Sequence, residues 1–272
     1  MHKTYERVVN KVQREIKKMK AGRAPLQRQT TYSEPATHWY EPVLAGADTF
    51  KSMCSSPDSI RKTMDILRQL TPDEFISFLL RFYDHGLANF NERWVYSDMI
   101  VSLTGICRSM KVENYLEIGV RRGRSMAMVA SQNPDCHIVG FDMWIQDYVG
   151  IQNPGPDFVR GEMKKVGFKG NLELVSGNSQ KTVPDYFKSH PNAYFDIINV
   201  DGDHTRRGAS IDIRHVIPRL KRGGVLVFDD IVNQYHPFLM DVWNKEVKKT
   251  GRFSTYEFTD SGYGVAIAVK KF

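Results

Sequence analysis

One segment of the chain, residues 195–230, has the sequence FDIINVDGDHTRRGASIDIRHVIPRLKRGGVLVFDD. It begins and ends with short apolar runs, Phe195–Val200 and Val225–Phe228, which have the length and composition of buried strands. Between these runs, apolar residues recur at helical spacing as far as the glycine pair Gly223-Gly224. A strand–helix–strand unit of this kind places its two strands parallel in one sheet.

Acidic residues follow both strands of this unit. Asp201-Gly202-Asp203-His204 comes after the first strand and Asp229-Asp230 after the second. The carboxyl ends of parallel strands meet at one edge of the sheet, where open α/β folds bind ligands. Like charges gathered there repel one another, and a divalent cation with oxygen ligands would remove that repulsion. The alternative is a helix cap at Asp203 and a solvated acidic loop, but both clusters together with a histidine favour a functional site.

Similar alternation of strand and helix patterns extends on both sides of this unit. The predicted strands cover residues 114–120, 137–142, 171–176, 195–200, 224–229, 252–259 and 264–270. The last two are joined by Asp260–Gly264, a hairpin-type turn. The sequence therefore predicts an α/β fold whose seven-stranded sheet is mostly parallel and ends in an antiparallel hairpin.

The first 110 residues are predicted to be a helical extension, and residues 111–272 the catalytic domain. Residues 3–20 form a basic amphipathic pattern with this apolar stripe: Tyr5, Val8, Val12, Ile16 and Met19. That helix is expected to pack on the body or on a second subunit, to serve as a partner or gating arm, or to contact an acidic membrane. An irregular segment, 21–57, follows, and a helix is predicted at 59–70. A second helix begins with a capping box at Thr71-Pro72-Asp73-Glu74, and its predicted apolar stripe is Phe75, Phe78, Leu79 and Phe82. A third helix is predicted at 92–110.

Composition and charge exclude several classes of protein. The chain has 272 residues and a formal net charge of +7, and the whole excess lies in residues 1–30. The neutral remainder argues against nucleic acid as a partner. No apolar stretch is long enough for a membrane-spanning helix, and no secretory signal is recognisable. The three cysteines include no CxxC pair, so neither a zinc site nor a disulfide framework is indicated, and we expect a cytoplasmic protein.

A glycine-containing turn follows the first predicted strand. Its sequence, Glu117-Ile118-Gly119-Val120-Arg121-Arg122-Gly123-Arg124-Ser125, leads into a helix whose N-terminus favours an anionic group. The GxxxG spacing differs from the GxGxxG pattern of dinucleotide-binding proteins. Asp142 ends the next strand, where a carboxylate can accept both hydroxyls of a ribose. Asn178 follows the third strand and offers a donor and an acceptor to an adenine edge.

Taken in order, EIGVRRGRS, FD, SGNS, DGDH and GGVLVFDD resemble the class I S-adenosylmethionine-dependent methyltransferases, which have a Rossmann-like fold. The last two motifs resemble the metal-dependent O-methyltransferases that modify sugars, including the macrocin, mycinamicin and aminocoumarin enzymes. The resemblance covers about residues 110–272. It implies transfer of a methyl group from S-adenosylmethionine to a hydroxyl of a sugar or another small natural product, with Mg²⁺ as the metal.

The resemblance also implies a role for individual residues. The cofactor site would consist of Glu117, Gly119, Gly123, Ser125, Asp142, Asn178, Ser179 and Asp201. Asp201, Asp229 and Asp230 would bind Mg²⁺, and His204 would be the general base. Asp229 stands where many relatives have Glu, and the related catechol-type enzymes have a lysine in place of His204.

The expected acceptor is a glycosylated small molecule that carries a hydroxyl. Trp144 and Tyr148 are candidates for a lid, and Tyr235 and His236 for the acceptor side. Alternatives are a cephalosporin-hydroxylase-like protein, a phenolic or catechol-type O-methyltransferase, an NAD-linked oxidoreductase and a non-catalytic binding module. Self-association through the N-terminal helix is also expected to be possible.

Overall fold

The structure is a computed structural model that describes residues 42–146 and 152–272. The amphipathic helix predicted at 3–20, the irregular segment as far as residue 41 and the lid candidate Tyr148 lie outside the described residues. Within the described residues, no helix has both the length and the apolar composition needed to cross a membrane.

The described part of the N-terminal region is helical. Its elements are α1 (Ala47–Cys54), α2 (Pro57–Leu67), α3 (Glu74–Phe90), a 3₁₀ turn (Asn91–Arg93) and α4 (Met99–Ser109). The prediction of an irregular segment at 21–57 is wrong for residues 47–54, because they form α1. The helix predicted at 92–110 is also too long, because Asp98 accepts a hydrogen bond from the Val101 amide and starts the helix there.

Two expectations for α3 are wrong. Asp73, not Thr71, is its N-cap, because the Asp73 carboxylate accepts a hydrogen bond of 2.8 Å from the Ile76 amide. Thr71 instead donates to Glu162 in a later helix. The buried face of α3 contains Ile76, Leu79 and Tyr83. Leu79 of the predicted stripe is therefore buried, whereas Phe75, Phe78 and Phe82 are exposed.

Strands and helices alternate through the rest of the chain. They are β1 (Asn114–Ile118), α5 (Arg124–Gln132), β2 (His137–Asp142), α6 (Pro156–Lys165), β3 (Leu172–Ser176), α7 (Ser179–Ser189), β4 (Phe195–Val200), α8 (Arg206–Val216), β5 (Leu220–Asp229), α9 (Leu239–Glu246), β6 (Phe253–Phe258) and β7 (Val265–Lys270). The sheet order is β3-β2-β1-β4-β5-β7-β6, with parallel pairing through β5 and antiparallel pairing of β7 with β5 and β6. The predicted fold class is confirmed.

The sheet has an apolar core on each face. Tyr115 of β1 points into a core shared with α1–α6, and its neighbour Leu116 points into a core shared with α7–α9, as the strand period of two requires. The N-terminal helices pack directly on the sheet: the Ala47 amide donates to Ser254 of β6 at 2.9 Å. The predicted division at residue 110 stays a prediction.

Candidate active site at the carboxyl edge of the sheet

Three non-glycine residues at the carboxyl edge have a left-handed backbone. Arg121 follows β1 with φ 53°, Trp144 follows β2 with φ 53°, and Asp230 follows β5 with φ 63°. Such conformations cost free energy and tend to occur at functional sites. These strained residues therefore lie at the same edge of the sheet at which the acidic motifs predict a functional site.

The turn after β1 is packed against the loop after β4. Gly119 has φ +92°, and a Cβ added there would lie 1.9 Å from the carbonyl oxygen of Asp201. Gly123 has φ +73° and starts α5 without a side-chain cap, so that the helix N-terminus remains available to a ligand. Both predicted glycines are thus required by backbone geometry, and Gly119 joins the two halves of the site.

Two arginines attach this turn to the N-terminal helices. Arg122 Nε lies 2.9 Å from Asp73 Oδ2, and Arg124 pairs with the same carboxylate. Both arginine side chains are largely buried. The helical extension is therefore fixed to the predicted cofactor turn by a shared ion-pair network that the sequence does not reveal.

Asp142 shapes the turn in addition to its predicted role towards a ribose. Its Oδ2 accepts hydrogen bonds from the amides of Val120 (2.8 Å) and Arg121 (2.7 Å). Its Oδ1 accepts a hydrogen bond from the Trp144 amide at 2.5 Å. Asn153 Nδ2 also donates to Oδ1 at 3.4 Å, so each of the roughly four lone-pair sites of the carboxylate faces a donor from the protein, and the role of Asp142 towards a ribose stays a prediction.

Glu117 and Ser125 lie close together beneath the turn. Ser125 donates to Glu117, and Tyr115, which sequence reasoning missed, donates to the same carboxyl at 2.7 Å. Burial raises the pKa of Glu117 to about 8, although its two hydroxyl donors act in the opposite direction. The side chain of Glu117 is fully buried, so its contact with a cofactor stays a prediction.

The predicted adenine side is formed by the loop between β3 and α7. Asn178 caps α7 through a 2.9 Å hydrogen bond from the Gln180 amide, and Ser179 begins that helix. Gln180, which was not predicted, donates from Nε2 to Asp203 at 3.2 Å and so joins this loop to the loop after β4. Asp203 does not cap α8, because Thr205 holds that position and accepts from the Gly208 amide.

The structure brings His204 between two of the predicted metal ligands. His204 Nε2 lies 3.0 Å from Asp201 Oδ1, and Nδ1 lies 3.7 Å from Asp230 Oδ2. Burial lowers the pKa of His204, but the hydrogen bond and charge of Asp201, together with Asp230 and Asp203, outweigh burial and raise it. The ring of His236 lies 5.1 Å from that of His204, while Tyr235 points into solvent.

Asp229 and Asp230 interact with Asp201 across the ends of β4 and β5. Burial, followed by repulsion from Asp201 and Asp230, raises the pKa of Asp229 well above its usual range. Burial and the charge of Asp201 also raise the pKa of Asp230, against a 2.9 Å hydrogen bond from Asn233. Burial and mutual repulsion therefore disfavour the charged forms of these carboxyl groups, as the two acidic motifs predict.

Three largely buried residues of the N-terminal region, Tyr83, Tyr96 and Asp98, form a hydrogen-bonded group that interacts with Asp229. Asp98 accepts hydrogen bonds from the hydroxyls of Tyr83 and Tyr96, the latter at 3.2 Å. The charge of Asp229 acts on both tyrosines and helps to raise their pKa values, after burial and Asp98. Sequence reasoning missed this group because these residues are separated from Asp229 by more than a hundred positions.

The donor set agrees with a divalent cation in type and charge. Asp201, Asp229 and Asp230 offer carboxylate oxygens, the ligands that Mg²⁺ prefers, and a cation would remove their repulsion. In residues 42–146 and 152–272, however, no three potential ligands stand in a metal-binding arrangement. The His204 ring lies between Asp201 and Asp230, and the metal assignment of these residues stays a prediction.

Comparison with known proteins supports the resemblance seen in the motifs. Residues 116–231 match the family described as methyltransferase domain. No curated protein sequence matches the chain.

Solved structures share the fold at low sequence identity. The O-methyltransferase TomG of Streptomyces achromogenes, involved in tomaymycin synthesis, is 17% identical, with 75% of this chain and 92% of TomG covered and a TM-score of 0.52. CalS11, the TDP-rhamnose 3′-O-methyltransferase of calicheamicin biosynthesis, is 17% identical, with coverage of 78% and 93% and a TM-score of 0.50. An O-methyltransferase from Bacillus cereus is 14% identical, with coverage of 78% and 91% and a TM-score of 0.51.

The family match begins within β1 and ends just after Asp230, so that it contains both the glycine turn and the acidic motifs. These findings show a methyltransferase domain at residues 116–231, within the seven-stranded sheet described above.

Proposed function

We propose that the chain moves the methyl group of S-adenosylmethionine to a hydroxyl oxygen of a small molecule, with His204 as the general base and Mg²⁺ bound by Asp201, Asp229 and Asp230. The observation that carries the proposal is the position of the His204 imidazole, 3.0 Å from Asp201 and 3.7 Å from Asp230. A hydroxyl is a poor nucleophile until it loses its proton, and a histidine at this edge supplies a base.

The residues around His204 suit proton removal. Asp201 orients the imidazole and stabilises its protonated form, which is the form produced when the base takes a proton. The acceptor oxygen then bonds to the methyl carbon while the carbon–sulfur bond breaks, so that S-adenosylhomocysteine leaves and the positive charge passes to His204. When bound, Mg²⁺ would lower the pKa of the acceptor hydroxyl and orient it.

We propose a sugar hydroxyl of a glycosylated small molecule as the acceptor. The resemblance of DGDH and GGVLVFDD to the sugar O-methyltransferases supports this choice, as does the fold shared with CalS11, a TDP-rhamnose 3′-O-methyltransferase.

The test begins with cofactor choice. Calorimetry of the full chain should show binding of S-adenosylhomocysteine and no binding of NAD⁺; the reverse result contradicts the proposal. Methyl transfer from radiolabelled S-adenosylmethionine is then measured with TDP-rhamnose, phenyl glucoside and catechol, with Mg²⁺ or with EDTA. Label on an oxygen, dependent on Mg²⁺, is the expected result, and label on nitrogen contradicts it.

A further inference from the structure

The short segment between α2 and α3 contacts both the glycine turn and α6. Thr71 donates from its amide and from its hydroxyl to the Glu162 carboxylate of α6, at 2.8 and 2.6 Å. Two residues later, Asp73 pairs with Arg122 and Arg124 of the glycine turn. The N-terminal helices therefore contact the turn after β1 and the helix after β2 at one place.

Asp73 neutralises two guanidinium groups at once. Arg122 Nε lies 2.9 Å from Asp73 Oδ2, Arg124 pairs with the same oxygen, and each arginine side chain is only 10% exposed. Within residues 42–146 and 152–272, no second carboxylate lies within ion-pair distance of either guanidinium. Burial by itself raises the pKa of Asp73, but the Ile76 amide and the two arginines outweigh burial and lower that pKa. Asp73 is therefore charged at neutral pH, and the two buried positive charges depend on it.

Aromatic rings hold the two arginine side chains as well. The guanidinium carbon of Arg122 lies 4.4 Å from the ring centroid of Phe158 in α6, and that of Arg124 lies 5.0 Å from the ring centroid of Phe75 in α3. Contacts between a cation and a ring are stronger when the cation is removed from water, as it is here. The position of each guanidinium is therefore set by α3 and α6, and the backbone between the two arginines must follow.

That backbone is the part of the turn predicted to meet the cofactor. Gly123 lies between the two arginines and starts α5 without a side-chain cap, and Arg121 has a left-handed backbone with φ 53°. Sparsely populated conformations persist only where the surrounding structure holds them in place. Asp142 holds this turn through two backbone amides, and Asp73 holds it through two arginine side chains.

We propose that Asp73 is a positioning residue for S-adenosylmethionine, because it keeps the glycine turn in the conformation that binds the cofactor. This inference rests on the proposed function, since it requires the cofactor to bind at that turn. Without the Asp73 charge, two buried guanidinium groups would lack a partner, and unpaired buried charges are strongly disfavoured. The turn would then favour conformations in which its arginines reach water. The apparent affinity falls in proportion to the fraction of molecules that keep the competent turn.

Calorimetry of the full chain with S-adenosylhomocysteine tests the proposal, because one titration gives the dissociation constant and the stoichiometry separately. Asp73→Asn removes the charge but keeps the cap of α3, since Asn is as good an N-cap as Asp. Asp65→Asn is the matched control, because Asp65 of α2 forms an exposed ion pair of 3.1 Å with Arg68. Arg122→Lys is a second variant that keeps the positive charge and loses the Nε contact with Asp73. Circular dichroism and thermal unfolding check that each variant is folded.

The dissociation constant of Asp73→Asn should rise at least about tenfold at unchanged stoichiometry, as expected when about one molecule in ten keeps the competent turn. Asp65→Asn should match the wild type. If Asp73→Asn does not fold, Arg122→Lys decides, with an expected rise of at least about threefold.

A wild-type dissociation constant in the folded variant overturns the proposal. A lower stoichiometry at an unchanged dissociation constant also overturns it, because the role of Asp73 is then purely structural. An equal loss of affinity in Asp65→Asn has the same consequence. A wild type that does not bind S-adenosylhomocysteine overturns the proposed function as well, whereas a wild type and an Asp73→Asn variant that bind equally well overturn this inference alone.

Discussion

Gly119→Ala tests whether the glycine turn and the acidic loop form one unit. The new Cβ would lie 1.9 Å from the carbonyl oxygen of Asp201 and 3.1 Å from the amide nitrogen of Gly202. An L-residue at φ +92° costs about 1–3 kcal/mol, and overpacking a tight contact costs a further 1–3 kcal/mol. We therefore expect the free energy of unfolding to fall by about 2–6 kcal/mol, against a total of about 5–15 kcal/mol for a typical domain.

The same change should weaken ligand binding, because relieving the overlap moves the turn away from Asp201. Urea unfolding followed by tryptophan fluorescence measures stability, and calorimetry with S-adenosylhomocysteine measures affinity, which should fall at least about tenfold, or 1.4 kcal/mol. Gly161→Ala is the control: it lies inside α6, where an added Cβ meets nothing within 4 Å. Unchanged affinity and stability in Gly119→Ala would refute the reasoning.

Three further changes test separate parts of the account. His204→Ala should keep the affinity for S-adenosylhomocysteine but lower the methyl transfer rate about 10²–10⁴-fold, while His85→Ala, exposed on α3, should match the wild type; normal turnover in His204→Ala rules out the base. EDTA should abolish wild-type transfer, Mg²⁺ should restore it, and Asp201→Asn should no longer respond to Mg²⁺; wild-type activity that EDTA leaves intact contradicts the metal role. Burial raises the pKa of Asp212 to about 6 in the folded protein, so the folded state keeps a proton that the unfolded chain loses near pH 4, and the free energy of unfolding should fall between pH 4 and 6 by at most about 3 kcal/mol. Asp212→Asn should remove this fall in pH-dependent urea unfolding, and parallel curves for the two proteins would show that the assigned proton is elsewhere.

The sheet was predictable because its signals are local. Apolar runs such as Phe195–Val200 predict both a strand and its burial. The Gly223-Gly224 pair was recognisable as a turn signal. The predicted start of the fifth strand at 224 is wrong, since β5 begins at Leu220. Phe195 pairs with Leu220, whereas Ile197 pairs with Val225, so that the extra residues of β5 form an irregularity in the ladder. The glycine pair lies inside that irregularity, with Gly223 at φ 76°, so the sequence signal marked the bend but not the fact that the strand continues through it.

The candidate site was predictable in its residue types but not in its contacts. Parallel strands alone bring Asp201 and Asp229 to one edge, so their proximity follows from topology. The hydrogen bonds that Asp142 accepts from the turn amides of Val120 and Arg121 depend on the conformation of the turn. A carboxylate after a strand suits either a ligand or a backbone amide, and the sequence does not separate the two.

The contribution of the N-terminal helices could not be predicted for a different reason. Asp98 and Tyr96 reach the acids through tertiary packing between elements far apart in the chain. Their local pattern is that of an ordinary helix start, because Asp98 also caps α4. The exposed faces of α3 were misassigned since Phe75 and Phe82 fit an apolar stripe as well as Ile76 and Tyr83 do, and only packing decides which row is buried.

The most direct measurement is a crystal structure of the full chain with S-adenosylhomocysteine and Mn²⁺ in place of Mg²⁺, with anomalous data at the manganese edge. The account predicts one anomalous peak at about 2.1 Å from carboxylate oxygens of Asp201, Asp229 and Asp230, with His204 beside the sulfur of the bound ligand. A protein that holds the ligand at saturating Mn²⁺ without such a peak, and in which the His204 ring still separates Asp201 from Asp230, would contradict it.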